Sequence, residues 1–344
     1  MKRHVIIIIL SSVLLFIFSI PLFNKVTERA ETELALEVLV TDLDTPWAID
    51  FLPDGKLIFT ERPGKVNIFD GKEKIIIAEI TVSEISESGL LGIAVDPEFN
   101  KNNFIYLYYT NQNGFNQVSR FVLENNKLID ETILLNNIPS AQFHDGGRIK
   151  FGPDGKLYIT TGDATVPSSA QDIASLAGKI LRINKDGTVP EDNPFGNYVW
   201  SYGHRNPQGL AWNNGTLYEA EHGPTRNDEI NIIEKGKNYG WPQECDKSAD
   251  FINPIRCFTE FTLAPAGIAF YKGDLYVAGL RGTQLRRLVL DIDGKILKEE
   301  ELFSELGRIR EVVAHDDYLY IATSNRDGRG IPRPGDDKII RIKR

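Results

Sequence analysis

Apolar and polar residues alternate along most of the chain in a pattern that occurs six times. Each copy contains an apolar strand, a short polar turn and a second alternating strand. The turns carry pairs such as Asp-Gly, Asn-Gly or Gly-Asp, which favour tight hairpins. Alternation with a period of two is what a sheet with one buried face requires. The copies occupy residues 48–61, 89–110, 148–163, 209–223, 267–282 and 310–325.

Six copies at a spacing of roughly 40–60 residues predict an all-β fold, a six-bladed β-propeller of four-stranded antiparallel blades. A twisted sandwich is the alternative, and six regular copies disfavour it. Residues 36–43 are left over before the first copy. They are predicted to pair as the outer strand of the last blade, which would close the ring and remove open sheet edges. Third strands are predicted at residues 64–71, 178–187, 228–236, 284–294 and 337–344.

The N-terminus departs from this pattern. Lys2 and Arg3 precede an apolar run over residues 5–23, and a basic start followed by an apolar stretch is typical of an export signal. The run is also long enough to span a bilayer, which takes about 20 residues. Residues 1–30 are therefore interpreted as a signal peptide or a membrane anchor with a short tether. Residues 31–344 are expected to form the catalytic propeller on the extracellular or periplasmic side.

Charge and cysteine content narrow the classes of function. The 344-residue chain has a formal net charge of −9, which argues against nucleic-acid binding because that requires clustered positive charge. It has two cysteines, Cys245 and Cys257. In an exported protein a disulfide between them is favoured.

Chemically unusual residues cluster in the segments between strands. His144 precedes a Gly-Gly turn, and Asp163 ends the next strand. Arg308 and Arg310 are two residues apart, which on a strand places both on one face and suits an anion clamp. Histidines, several arginines and exposed carbonyls at successive blade mouths would suit a planar polyanion held with a metal. The other members of this set are His204, Arg205, Asn206, His222, Gly223, Pro224 and Arg281.

Several motifs carry a family resemblance that extends from about residue 36 to the C-terminus. They include GLLGIAVDPEF, HDGGRI, ITTGD, YGHRNPQGLAW, NYGWP and LGRIRE. Together they resemble the soluble glucose dehydrogenases that depend on pyrroloquinoline quinone (PQQ), and especially the shorter aldose sugar dehydrogenases. The resemblance implies oxidation of aldose sugars at C1 to the lactone, with PQQ and Ca²⁺ as cofactors and an external electron acceptor.

The resemblance also implies roles for individual residues. His144 would be the general base, Asp163 would orient its imidazole, and Arg205 would stabilise negative charge on the reduced cofactor. The backbone carbonyls of Gly223 and Pro224 would ligate Ca²⁺, which prefers oxygen. The remaining cofactor contacts implied by the resemblance are Asn206, Thr262, Ala264, Arg281, Arg308 and Arg310.

Some positions depart from the family pattern. Glu87 and Ser88 stand where the glucose enzymes carry a cofactor-contacting Gln, and Phe143 precedes His144 where a polar residue is usual. Arg281 stands where those enzymes carry Lys. Loop insertions that they use around the sugar and for dimerisation are missing here. A more open groove and a monomer are therefore expected.

The residues alone also leave two other functions open. A non-catalytic propeller that binds a protein or glycan would have lost the base and the arginines, which are present here. A calcium-dependent lactonase would need several carboxylate and Asn side chains around one metal at the channel centre. Residues 246–250, with Asp228 and Glu229, are candidates for a second calcium site. A solvated acidic loop is the favoured interpretation of that segment.

Overall fold

Residues 35–343 are described by the structure, a computed structural model, and form six four-stranded antiparallel sheets. One short α-helix, α1 (Phe99–Asn102), and two 3₁₀ segments, Pro167–Gln171 and Ser304–Leu306, accompany the strands. The first thirteen strands are β1 (Ala35–Val40), β2 (Pro46–Phe51), β3 (Leu57–Glu61), β4 (Lys65–Phe69), β5 (Lys74–Glu79), β6 (Leu90–Val95), β7 (Phe104–Thr110), β8 (Asn116–Glu124), β9 (Lys127–Ile138), β10 (Ile149–Phe151), β11 (Leu157–Thr161), β12 (Lys179–Ile183) and β13 (Val199–Tyr202). The others are β14 (Pro207–Asn213), β15 (Thr216–Glu221), β16 (Asp228–Ile233), β17 (Arg256–Phe258), β18 (Pro265–Tyr271), β19 (Asp274–Gly279), β20 (Gln284–Leu290), β21 (Ile296–Leu302), β22 (Ile309–His315), β23 (Tyr318–Thr323) and β24 (Ile339–Lys343).

The sheets are the blades of a six-bladed β-propeller, which confirms the predicted fold. Blades 1 to 5 follow the chain in consecutive groups of four strands, β2–β5, β6–β9, β10–β13, β14–β17 and β18–β21. The first strands of neighbouring blades pack against one another around the centre. For example, β2 packs against β6 and against β22 of blade 6, and β14 packs against β18. The segments that enter these first strands therefore meet at one mouth of the ring.

Blade 6 is built from both ends of the described chain. Its order is β1-β24-β23-β22, and β1 pairs antiparallel with β24, with Ala35 opposite Lys343 and Leu36 opposite Ile342. The prediction that residues 36–43 close the ring is confirmed, although the strand ends at Val40. Closure pairs the C-terminal strand on both sides, so that it is not an exposed edge.

The predicted hairpins are present in every blade. Gly55 and Gly155 occupy the turns of blades 1 and 3 with φ of +83° and +71°, a conformation that glycine adopts without a steric penalty. The second copy, the loosest of the six, differs because α1 lies between β6 and β7. The apolar core lies mainly between neighbouring blades, where the faces of adjacent sheets pack together.

Cys245 and Cys257 form a disulfide, with Cα atoms 6.2 Å apart, that closes the loop between β16 and β17. The predicted leader over residues 1–30 lies outside the described residues. Within residues 35–343, no helix is long and apolar enough to cross a membrane.

Candidate active site

A cavity of about 590 Å³ opens at the mouth of the ring. Its wall comes from loops of almost every blade, because the connections that enter the first strands converge there. Eight of the eleven residues to which the family resemblance assigns roles line it, namely His144, Arg205, Gly223, Pro224, Thr262, Ala264, Arg281 and Arg308. Asp163, Asn206 and Arg310 are not in its wall. The remaining lining residues are Glu87, Phe143, His222, Thr225, Asp228, Leu280 and Arg329.

His144 and Asp163 form a hydrogen-bonded pair on one side of the cavity. The His144 Nδ1 lies 2.7 Å from Asp163 Oδ1. The buried carboxylate also accepts from the Thr165 N–H at 2.8 Å and from the Trp241 Nε1 at 2.8 Å. Because a carboxylate accepts hydrogen bonds, His144 donates from Nδ1, and in the neutral imidazole Nε2 is then the nitrogen with the free lone pair. This tautomer is the one that a general base requires.

The backbone around His144 is tightly constrained. His144 has a φ of +65°, its N–H donates to Glu87 Oε2 at 3.1 Å, and its carbonyl accepts from Ala164 N at 3.2 Å. A Cβ at Gly162 would lie 1.9 Å from the His144 carbonyl oxygen. Glycine at position 162 is therefore required for the close approach of the two segments that hold the pair.

Asp145 and Asn206 brace the same turn from behind. The buried Asn206 accepts from the Gly146 N–H at 3.1 Å and donates to Glu87 Oε2 at 3.4 Å. Asp145 Oδ1 accepts from Asn116 and Ser140, at 3.0 and 2.7 Å. Burial raises the pKa of Asp145 to about 6. Asn206 thus holds the His144 turn rather than forming part of the cavity wall.

Arg205 faces the Gly223-Pro224 segment. Its Nη1 donates to the carbonyls of His222 and Gly223, at 3.1 and 2.7 Å, and the guanidinium lies over the Trp241 ring. Its buried Nε has no hydrogen-bond partner among the described residues. Burial lowers the pKa of Arg205.

Asp228 connects two lining segments that are far apart in the sequence. Its carboxylate accepts from the N–H groups of Gly223, Leu263 and Ala264, at 2.9, 2.7 and 2.8 Å. Thr262 also donates its hydroxyl to the Thr225 carbonyl. From the sequence, Asp228 is a candidate ligand of a second calcium ion, and its role in joining these segments is not predicted. The local signal was only an acidic residue five positions after Gly223.

Glu87 places a carboxylate inside the cavity wall. Besides the His144 N–H it accepts from Arg329 Nη1 at 2.8 Å. Burial, the largest influence, raises its pKa. The charge of His222, whose own pKa is lowered to about 3 by burial, the charge of Arg329 and the hydrogen bonds oppose that effect and lower the pKa of Glu87 to about 2. At neutral pH His222 is uncharged, and Arg329 and the hydrogen bonds stabilise the carboxylate. Glu87 is therefore ionised at neutral pH, and the position keeps a polar lining residue although it departs from the family pattern.

Arg308 and Arg310 have different surroundings. Arg308 lines the cavity, donates from Nε and Nη2 to Asp327 at 2.9 and 2.6 Å, and reaches the Leu280 carbonyl. Arg310 lies behind the wall, where Nη1 donates to Gln208 Oε1 at 2.6 Å and Nε has no partner among the described residues. The pairing of β22 contains a bulge between Ile309 and Glu311. The simple two-residue alternation assumed from the sequence is therefore interrupted at this point.

Comparison with known proteins identifies the family. Residues 43–333 match the family model described as glucose/sorbosone dehydrogenase. The chain belongs to this family. It is 31% identical to the aldose sugar dehydrogenase YliI of Escherichia coli over 90% of this chain and 96% of that protein.

Two solved structures are similar to this chain over 90% of its length. One is an oxidoreductase (glucose dehydrogenase) from Thermus thermophilus, with a TM-score of 0.87 and 43% identity over 90% of this chain and 99% of that one. The other is the PQQ-bound aldose sugar dehydrogenase of Streptomyces coelicolor, with a TM-score of 0.86 and 36% identity over 90% of this chain and 98% of that one.

A second polar cluster in this family member lies beneath Arg205 and was not predicted. Ligand-type atoms of His204, Glu219 and Glu221 lie within 4.8 Å of one another, and all three residues are buried. Glu221 accepts the Arg205 N–H at 2.6 Å, and His204 Nδ1 lies 3.3 Å from its other oxygen. Burial raises the pKa of Glu219 well above its usual value. The cluster supports the backbone of Arg205.

The candidate second calcium site over residues 246–250 is not assembled. Asp228 is used by three backbone N–H groups, and Glu229 pairs with the buried Nζ of Lys247 at 2.7 Å. Asp246 and Asp250 are exposed. These carboxylates are therefore engaged separately or face the solvent.

Proposed function

We propose that this protein oxidises aldose sugars at C1 to the corresponding lactones, with PQQ and Ca²⁺ held in the cavity and His144 as the general base. The observation that carries the proposal is the His144–Asp163 pair in the wall of an arginine-lined cavity. This oxidation needs a general base beside the cofactor, and His144 would supply it through Nε2.

The cavity suits PQQ, a planar tricarboxylate. Arg205, Arg281, Arg308 and Arg329 line it, against the two carboxylates of Glu87 and Asp228. The buried Nε of Arg205, in the cavity wall, and the buried Nε of Arg310, behind the wall, have no hydrogen-bond partner among the described residues. Guanidinium groups bind carboxylates through paired hydrogen bonds, and buried unpaired donors are costly unless a ligand satisfies them.

Calcium would be held by the backbone carbonyls of Gly223 and Pro224, which line the same cavity. The donors are oxygens, the ligand type that Ca²⁺ prefers. The segment is held by the Asp228 carboxylate through the Gly223 N–H, and the Gly223 carbonyl also accepts from Arg205. The position of Arg205 would therefore respond to the metal.

The residues of this chain would act in a single proton and hydride step. His144 Nε2 accepts the proton of the C1 hydroxyl, and the ionised Asp163 stabilises the imidazolium that forms. When bound, PQQ would supply the acceptor for the hydride from C1, and Ca²⁺ would make it more electrophilic. Arg205 would stabilise the negative charge that this transfer delivers. An external electron acceptor would then regenerate the oxidised cofactor.

The alternative functions gain less support from the cavity. A binding module would not need a buried carboxylate to fix the tautomer of His144. A lactonase would need carboxylates around a metal at the channel centre. There, Glu311 accepts from Arg148, and the Arg148 guanidinium lies 4.5 Å from the centroid of the Trp47 ring. We further propose that the protein is exported, with residues 5–23 as its membrane tether or cleaved leader, and acts as a monomer.

The test is a titration of the purified protein with PQQ and Ca²⁺, in which sugar-dependent dye reduction is followed with glucose and other aldoses. His144→Gln should reduce turnover by about 10²–10⁴-fold and should leave PQQ binding in place. His315→Gln is the matched control, since His315 stacks on Phe51 in blades 6 and 1 and is not in the cavity wall. Failure to bind PQQ would contradict the proposal and favour the binding module.

A further inference from the structure

A second cavity, of about 520 Å³, adjoins the active-site cavity on the side of blades 5 and 6. The two share Arg281, Arg308 and Arg329 in their walls. The second cavity is bounded by the segment before β22 and by the loop between β23 and β24. The lining residues that it does not share with the first cavity include Glu305, Leu306, Ile331, Arg333, Asp336 and Lys338.

This second cavity carries more positive than negative charge. Five of its lining residues are cationic and two are acidic. Three of the cations are already paired with carboxylates, since Arg308 contacts Asp327, Arg329 contacts Glu87, and Lys338 contacts Asp336 at 3.1 Å.

Arg281 and Arg333 are exposed, and no ion pair joins either of them to a carboxylate within residues 35–343. Arg281 also lines the cavity proposed for PQQ, so Arg333 is the arginine left for a second ligand. The Arg333 Nη1 donates only to the backbone carbonyl of Glu305, at 3.3 Å. A guanidinium in that state can still bind an anion through two parallel hydrogen bonds. Leu306 and Ile331 add apolar surface beside it, which is typical of a small-molecule site.

We propose that the second cavity is a binding subsite for an acidic group, a carboxylate or a phosphate, on the saccharide whose C1 lies beside His144. The proposal rests on the proposed sugar oxidation. The two cavities adjoin at Arg281, Arg308 and Arg329, so one extended molecule would be able to reach from the first into the second. The site therefore favours acidic saccharides, such as uronic acids or aldobiouronic acids, over neutral ones.

An acidic electron acceptor is the competing occupant of the same positive charge. The saccharide is favoured because Arg333 lines a concave cavity that adjoins the one containing His144, whereas a protein acceptor needs a broad accessible surface. The two occupants predict different kinetics. An acidic saccharide subsite changes the KM of acidic sugars alone, whereas an acceptor site changes the KM of the acceptor with every sugar.

The test compares neutral and acidic sugars with the PQQ- and Ca²⁺-loaded enzyme. Glucose is paired with glucuronic acid, and cellobiose with cellobiouronic acid. Arg333→Gln should raise the KM of the acidic members about three- to tenfold and leave the neutral members within about twofold. The difference should shrink in high salt, because exposed charges are screened. Arg341→Gln, on β24 and paired with Glu37, removes one positive charge outside the cavity and should change neither class.

An equal change for neutral and acidic sugars, or no change for either, would overturn the subsite. A change confined to the KM of the acceptor would overturn it in favour of acceptor binding. If no sugar is oxidised at all, the proposed function fails separately. Calorimetric titration of the cofactor-free protein with cellobiouronic acid and cellobiose then decides the subsite, which requires tighter binding of the acid and loss of that preference in Arg333→Gln.

Discussion

Two walls of the active-site cavity satisfy their polar groups in different ways. On the wall that carries His144 and Asp163, Asp163 accepts three hydrogen bonds from protein donors, and His144 is fixed at both its ring and its backbone. The arginine wall, formed by Arg205, Arg281, Arg308 and Arg329, contains exposed guanidinium groups and a buried Nε without a partner among the described residues. The first wall is preorganised for proton transfer, and the second leaves binding capacity for an anion.

The largest expected effect comes from removing the charge behind the base. Asp163→Asn should lower kcat by about 10²–10⁴-fold, because an amide no longer enforces the Nδ1–H tautomer or stabilises the imidazolium. PQQ affinity should remain within about threefold, since Asp163 does not line the cavity. Steady-state kinetics and PQQ titration measure the two quantities. Asp172→Asn is a control on an exposed carboxylate of the same blade. If Asp163→Asn lowered only the PQQ affinity, Asp163 would act in cofactor binding, and the proposed difference between the two walls would be wrong.

The pH dependence of stability probes the wall that carries the base. Burial raises the pKa of Asp145 to about 6, above the value near 4 of the unfolded chain. Between these values the folded protein binds more protons than the unfolded chain, so this contribution to stability is lost as the pH rises. The loss amounts to about 2–3 kcal/mol. The stability of Asp145→Asn relative to the wild type should therefore increase between pH 4 and pH 8.

Chemical denaturation of both proteins at each pH measures that difference. The other titrating groups are shared by the two chains, and their contributions cancel to a first approximation. Asp186→Asn, at an exposed turn between β12 and β13, is the control. A constant difference between Asp145→Asn and the wild type across this range would contradict the prediction.

The arginine wall can be divided by comparing Arg308 with Arg310. Arg308→Gln should weaken PQQ binding about 10–100-fold, because charged hydrogen bonds are worth about 1.5–3 kcal/mol. Arg310→Gln should weaken it less, since Arg310 lies behind the wall and contacts Gln208. Equilibrium titration of the cofactor-free protein gives both values. A larger effect at Arg310 would show that the carboxylates reach past the wall.

The smallest effect is expected where the two walls meet. Trp241 donates from Nε1 to Asp163 at 2.8 Å, and its ring lies beneath Arg205. Trp241→Phe keeps an aromatic ring but removes this donor, and kcat should fall about three- to tenfold. Trp212→Phe, in contact with Tyr158 away from the cavity, is the control. An unchanged kcat would mean that Thr165 alone suffices to fix the carboxylate.

The sequence by itself determined the six blades, their hairpins and the strand that closes the ring. Alternation and turn chemistry are local properties, written within stretches of about ten residues such as the Gly55 and Gly155 turns. Through the family resemblance it also selected most of the residues that line the cavity, including His144, Arg205 and Arg308.

Only the tertiary structure decided how those residues are used. The Glu87–Arg329 pair joins positions 242 residues apart, and Asp228 binds N–H groups on two separate loops. The bulge in β22, between Ile309 and Glu311, arises from strand pairing. It is the reason why Arg308 and Arg310 have different surroundings. Hydrogen-bond partners of this kind are brought together by ring closure, so no local pattern along the chain encodes them.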